Sequence, residues 1–153
     1  MKIIDVLVKI AKKFNENDIE WALGASLLLY FYDIVEEPHD IDIVIDKKDE
    51  DIVLKIMNEL GDEKESKVVK NYRTGVFHKF NIDNIGIDII GEFIIILENE
   101  EYLHPFPTKN KEYILVDNTK IYLDSLESWL NTYKAMGDPK KRVNLIKNYM
   151  KNK

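Results

Sequence analysis

Residues 21–46 read WALGASLLLYFYDIVEEPHDIDIVID, and the alternation near the end of that stretch decides the fold. In a strand, successive side chains point to opposite faces, so Asp40 and Asp42 share one face while Ile41, Ile43 and Ile45 share the other. Two carboxylates ~7 Å apart along one strand repel each other. Setting them beside a buried face is unfavourable unless something positive lies between them. A divalent cation resolves the conflict. Upstream, residues 19–23 predict a short strand, and Gly24-Ala25-Ser26 a tight turn into a helix over 27–32. Small residues there let the backbone approach a ligand, and free amides at a helix start favour anions. A turn kept small for packing alone is the structural alternative.

Working outward, Ile3, Leu7, Ile10, Ala11 and Phe14 recur at helical spacing, which predicts a surface helix over 2–16. Beyond the Asp40–Asp46 strand, Asp49 is positioned to cap a helix that carries Ile52, Val53, Ile56, Met57 and Leu60 and stops at Gly61. Strands are expected over 67–72, 75–82 and 85–90, the last two joined at Asp83-Asn84. In the last of them Gly86, Asp88 and Ile90 share a face, and a single Asp in so apolar a strand needs a partner. Residues 93–97 continue apolar, and 98–110 read as a polar, proline-containing loop. Asp117-Asn118 predicts a hairpin between strands 113–116 and 119–123. Two apolar helical stripes follow, Leu126, Trp129, Leu130, Tyr133 and Met136, then Val143, Ile146, Tyr149 and Met150, separated by Gly137-Asp138-Pro139.

The expected fold is therefore α/β (α+β), a mixed sheet with helices packed on it and a C-terminal helical pair. No linker or repeat divides it. A single domain over 1–153 is expected, with its core at about 1–123 and C-terminal helices at about 124–152.

The chain has 153 residues, 45% of them hydrophobic and 33% charged, enough to bury a core. It contains no cysteine, which excludes disulfides, thiolate metal sites and cysteine nucleophiles. The N-terminus lacks a signal-peptide layout, and no apolar run approaches about 18 residues, so a cytoplasmic protein with no membrane partner is expected. A net charge of −6 argues against extended nucleic-acid binding. Lys134, Lys140, Lys141, Arg142, Lys147, Lys151 and Lys153 cluster at the end, either as a solvated helix face or as a local patch for a nucleotide.

Three acidic groups converging from neighbouring strands in front of a glycine turn suit phosphoryl chemistry. Such a triad can hold divalent ions that activate an attacking oxygen and steady a leaving phosphate. Oxygen-only ligands favour Mg²⁺ or Mn²⁺ over zinc. Asp40 and Asp42 are then metal ligands, and Asp88 is a third ligand or the base that takes the acceptor's proton.

This arrangement of an apolar run, a glycine-plus-small turn, a helix, Asp-hydrophobic-Asp and a later lone Asp resembles the nucleotidyltransferase fold superfamily. The nearer likeness is to the small bacterial branch with lincosamide nucleotidyltransferases and abortive-infection and toxin–antitoxin nucleotidyltransferases. The resemblance implies that Gly24, Ala25 and the adjoining Ser26 lie on the phosphates of an NTP such as ATP. It also implies that Asp40 and Asp42 bind Mg²⁺, that Asp88 completes the site, and that Lys134 on the C-terminal helix faces the nucleotide. The implied reaction moves a nucleoside monophosphate onto a hydroxyl acceptor and releases pyrophosphate.

The acceptor is expected to be a small molecule, with a homodimer cleft as one way of completing its pocket. A toxin-like enzyme acting on tRNA or protein and opposed by a cognate antitoxin is the alternative within the class. A non-catalytic nucleotide- or metal-binding module is the alternative outside it, because Glu36-Glu37-Pro38-His39 stands where relatives carry a cation or Thr. Arg73 and Lys79 are candidates for the missing cation. His78 and His104 are read as structural, Ser125 and Ser128 as capping or surface residues, and Tyr72, Tyr102, Tyr113 and Tyr122 as core or acceptor-pocket aromatics.

Overall fold

The computed structural model describes residues 1–66, 72–106 and 111–153; most of the strand expected over 67–72 lies outside them. Helices are α1 (Lys2–Glu16), α2 (Ala25–Phe31), α3 (Glu50–Leu60), α4 (Leu126–Ala135) and α5 (Val143–Lys151). Strands are β1 (Trp21–Gly24), β2 (Ile41–Ile45), β3 (Asp62–Lys64), β4 (Val76–Ile82), β5 (Ile85–Gly91), β6 (Ile94–Leu97), β7 (Glu100–Leu103), β8 (Glu112–Val116) and β9 (Thr119–Leu123). Seven strands form one mixed sheet in the order β3-β4-β5-β2-β1-β9-β8, and β6 with β7 makes a separate antiparallel hairpin.

The centre of the sheet follows from hydrophobic alternation. Ile41, Ile43 and Ile45 are buried, as are Ile87 and Ile89 beside them in the parallel β2–β5 register. Helix α1 supplies Leu7, Ile10 and Phe14, and α3 supplies Val53 and Met57, to the same core. The C-terminal pair joins it through Trp129, Leu130, Tyr133, Val143 and Ile146. No described helix is long and apolar enough to cross a membrane.

Three expectations are corrected. Residues 100–103 are not loop but β7, paired through Ile95↔Tyr102 and Ile94↔Leu103, because the turn at Glu98-Asn99 takes positive φ on both residues and folds the chain back. Asp49 precedes α3 without a side-chain cap, since its carboxylate accepts from the Glu20 backbone N–H instead; Asp46 caps the 3₁₀ turn over Lys47–Asp49. Of the four tyrosines offered for an acceptor pocket, only Tyr72 lines the main cleft, while Tyr122 packs edge-on against Trp21 and Tyr113.

Candidate active site

The register of four strands brings one row of residues across the sheet. Gly24 of β1 pairs with Asp42 of β2, Asp42 with Asp88 of β5, and Asp88 with Lys79 of β4. Directly paired residues hold their Cβ atoms ~5 Å apart, so the two carboxyls and the ammonium meet on one face. Lys79 Nζ donates to Asp88 Oδ1 at 3.2 Å. Asp40 joins the row from the residue before β2, on the same face as Asp42. Gly86, which precedes Asp88 by two on that face, is where its carboxylate sits. A Cβ on Gly86 would lie 3.0 Å from Asp40 Oδ1.

The electrostatics are those of crowded acids. Burial, then the charges of Asp88 and Asp40, push the Asp42 carboxyl well above the usual carboxylate range; Lys79 only partly opposes them. Asp88 is also raised, chiefly by burial, with Lys79 pulling it down. An acid held partly neutral by its neighbours is the state a cation would reverse.

The turn is built by packing as much as by ligand access. Ala25 has φ +50°, a left-handed conformation that costs a residue with a Cβ ~1 kcal/mol or more. Ser26 is buried, its hydroxyl accepting from the His39 backbone N–H at 3.3 Å and donating to the Asp40 carbonyl at 3.5 Å. It thereby ties the turn to the residue that opens the acidic strand. Gly24 is covered by the Trp129 indole, and a Cβ there would lie 2.3 Å from Trp129 Cζ2. We expect Gly24→Ala to lower stability by ~1–3 kcal/mol through overpacking. A denaturant midpoint equal to that of the unsubstituted protein would show that the indole has room to move.

These residues open into a cleft of about 780 Å³. Ala25, Ser26, Asp40, Asp42 and Asp88 line it; Gly24 lies beneath Trp129 and is not part of the lining. Lys134 is exposed and does not line it either. The cleft-facing stripe of the last helices is Trp129, Tyr133 and Met136, with Lys140 and Arg142 following the turn at Gly137. Lys134 is ~100° around the helix from Tyr133, which turns it outward. Lys140 and Arg142 had stood in the sequence only as members of a basic cluster. The signal that could have singled them out is Asp138, whose Oδ1 accepts from the backbone N–H of Arg142 and Val143 and starts α5 there. Arg142 Nη1 then donates to the Tyr133 hydroxyl at 3.0 Å, over the cleft.

The cation question divides between Lys79 and Arg73. Lys79 lines the cleft, whereas Arg73 is held by Glu101 at 2.7 Å on the surface. Glu36 and Glu37 are exposed and not part of the described lining, and His39 is. His78 lies between Glu50 and Glu63, outside the cleft. Ser125 caps α4 by accepting from the Ser128 N–H.

The same architecture is known from solved structures. The chain has the nucleotidyltransferase fold. A Thermotoga maritima protein provisionally described as a nucleotidyltransferase superposes with a TM-score of 0.73 at 22% identity, covering 99% of this chain and 94% of that one. ANT(2")-Ia, solved with adenylyl-2"-tobramycin, gives 0.68 at 12% identity, covering 99% and 90%. The lincosamide antibiotic adenylyltransferase LnuA, solved with lincomycin, gives 0.62 at 14% identity, covering 94% and 95%. No protein-family model and no curated protein matches the sequence. Within the nucleotidyltransferase fold, the acidic row, the small-residue turn, α4 and the segment that leads into α5 border one cleft.

Proposed function

We propose that this chain is a cytoplasmic, single-domain nucleotidyltransferase that moves a nucleoside monophosphate from an NTP, ATP among the candidates, to the hydroxyl of a small-molecule acceptor. The observation that carries the reading is the Gly24–Asp42–Asp88–Lys79 row with Asp40 seated beside it in the cleft. The two antibiotic-modifying enzymes of the same fold, one solved with an adenylylated antibiotic, support a small acceptor.

The donor set fits Mg²⁺ or Mn²⁺: every ligand offered is a carboxylate oxygen, and the crowding of Asp40, Asp42 and Asp88 is relieved by positive charge. Among the described residues no three His, Cys, Asp or Glu side chains are already gathered as a metal cage. Asp40 and Asp42, which share one face of the strand that begins at Ile41, are the holding pair in this reading, and Asp88 stands beside them. When bound, the ion supplies charge stabilisation on the phosphoryl oxygens.

The remaining steps belong to the chain's own groups. The backbone at Ala25-Ser26 borders the triphosphate, and Arg142 and Lys140 offset its charge from the opposite wall. Asp88 takes the acceptor's hydroxyl proton as the O–Pα bond forms and the bond to the β-phosphate breaks, releasing pyrophosphate. Lys79, hydrogen-bonded to Asp88, holds that carboxylate in place and keeps it a usable base.

The test is thermal denaturation with each NTP, with and without Mg²⁺ or Mn²⁺. At a ligand concentration of 100 Kd, binding adds ~2.7 kcal/mol, a rise in Tm of about 5–10 °C for a chain of this size. Stabilisation that needs both nucleotide and metal supports the proposal. No stabilisation by any NTP at millimolar concentration overturns it.

A further inference from the structure

Along the strands the cleft has two unlike ends. At one, Ser26 is hydrogen-bonded to the Asp40 carbonyl, so the turn and the outer carboxylate lie together. At the other, two residue pairs beyond Asp88↔Lys79 and so next on the same face, stands Phe77↔Ile90. Side chains two residues apart on a strand are ~7 Å apart on the same face, so an apolar floor begins one side-chain step past the proposed base. Phe93, Met136 and Tyr72 wall it. Among the described residues the other groups lining this end are Thr74 and, at the exposed rim, Glu65 and Ser66.

The wall continues through a succession of rings. Tyr72 meets Phe93 edge-on at 5.6 Å, Phe93 meets the buried His104 at 6.3 Å, His104 meets Trp129 at 4.6 Å, and Trp129 meets Tyr133 at 5.6 Å. His104 is fixed to Asp124 and Thr132, and Trp129 to Asp124. A wall of rings held in this way presents a fixed apolar surface at little entropic cost on binding.

In-line displacement puts the attacking oxygen and the leaving pyrophosphate on opposite sides of the α-phosphorus. With the triphosphate at the Asp40 end, the attacking side is the Phe77–Ile90 end. We infer that the acceptor is an alcohol with an apolar, ring-bearing face, uncharged or singly charged, lying against Phe77, Ile90 and Phe93 with its hydroxyl at Asp88. This deepens the nucleotidyltransferase reading and rests on it. Among the described residues the floor at this end is apolar, Phe77, Ile90 and Phe93, which offers a ring face a contact that neither a heavily hydrated polycation nor a phosphate backbone can use. The bond made is acceptor O–Pα, the bond broken is Pα–O to the β-phosphate, and the hydroxyl proton goes to Asp88.

The experiment uses the full chain with Mg²⁺ and α-labelled NTP against three acceptor panels: aryl and alicyclic alcohols, polyaminated cyclitols, and a short RNA. Metal-dependent thermal stabilisation by NTP is read on the same preparation. Label on the ring-bearing alcohols, with a Phe77→Ser acceptor KM at least ~10-fold higher, restored by Phe77→Leu, and an NTP KM within about twofold, supports the inference; losing one buried aromatic contact is worth about that much. Phe77 is half-buried, and a matching NTP-induced Tm shift in both variants shows that they are folded. NTP stabilisation together with label confined to the cyclitols or the RNA, to no acceptor at all, or an acceptor KM unmoved by Phe77→Ser, overturns the acceptor class alone. Absence of NTP stabilisation in the unsubstituted protein overturns both readings.

Discussion

Asp42→Asn is expected to make the ligand-free protein more stable and the enzyme inactive. The gain comes from relieving a conflict. Asp42 lies beside Asp88 in the strand register and near Asp40, and burial together with those charges raises its carboxyl well above the usual range. An asparagine carries no charge to repel them, and its amide can donate to Asp88, as the carboxyl does only while protonated. An acid whose pKa is raised on folding binds its proton more tightly in the native state. Its burden is therefore absent below the unfolded-state value of ~3.9 and grows as pH rises through the window up to the raised native value. The stabilising effect of Asp42→Asn should accordingly be near zero at acidic pH and largest at neutral pH. Relief of strain at a functional position commonly yields ~0.5–2 kcal/mol, a Tm gain of a few degrees.

Activity should move the other way. Removing one of two charges that hold the cation forfeits several kcal/mol of transition-state stabilisation, a fall of ~10³-fold or more in kcat. The Mg²⁺–NTP-dependent rise in Tm should be lost with it. Melting curves across pH, with and without Mg²⁺ and NTP, check both halves. A variant that is destabilised at neutral pH, or that keeps its nucleotide-induced shift, would remove Asp42 from the site.

What could be read from sequence was what local periodicity encodes. The alternation through Asp40–Ile45 placed β2, its buried face and its acidic face correctly, and the lone Asp in residues 85–90 is paired with Asp42. Helix α1 and the Asp117-Asn118 hairpin were equally legible, because each is written in a stretch shorter than about 16 residues with one dominant pattern. Contacts between distant segments were not legible. Gly24 looked like a phosphate-approach glycine, yet what needs its missing side chain is Trp129, far along the chain. Ser26 belongs to the turn expected on the phosphates, and the sequence did not show that its hydroxyl ties that turn to His39 and Asp40. Lys134 and Arg142 both carry a charge near the chain end; helix phase turns Lys134 outward, and the break at Gly137–Pro139 brings Arg142 back to the cleft. The hairpin of β6 and β7 was hidden because Glu100-Glu101 read as solvated loop; its exposed face is acidic, and the alternation is too brief to stand out.

Asp124→Ala should cost the most stability of any single polar substitution in the chain. Asp124 is 3% exposed, and its Oδ2 accepts from His104 Nε2 at 2.7 Å and from Trp129 Nε1 at 2.9 Å, while Oδ1 accepts from the Ser125 N–H at 2.7 Å. His104 is buried as well, and its other ring nitrogen is engaged by Thr132, itself fully buried. Among the described residues every buried side-chain polar atom has a partner, so this cluster is satisfied as built. Truncating Asp124 leaves the imidazole and indole N–H groups facing each other across a small void with no acceptor. Each buried unsatisfied group costs ~1–3 kcal/mol, and breaking a buried charge-assisted pair by removing one partner costs ~3–5 kcal/mol. The combined expectation is about 4 kcal/mol, a large share of the ~5–15 kcal/mol that holds a domain together, and a fall in Tm of roughly 8–16 °C. Asp124→Asn keeps one acceptor oxygen and should lose less than half as much. The damage should also reach the cleft, because Trp129 is fixed by Asp124 and covers Gly24. A loosened indole frees the start of α2, so at a temperature where Asp124→Asn is still folded, NTP affinity should fall while the bound metal requirement is unchanged. Chemical denaturation of both variants, with fluorescence of the two tryptophans as one probe and circular dichroism as another, separates these effects. A loss below ~1 kcal/mol for Asp124→Ala would mean that water replaces the carboxylate, and that the ring wall does not depend on this anchor.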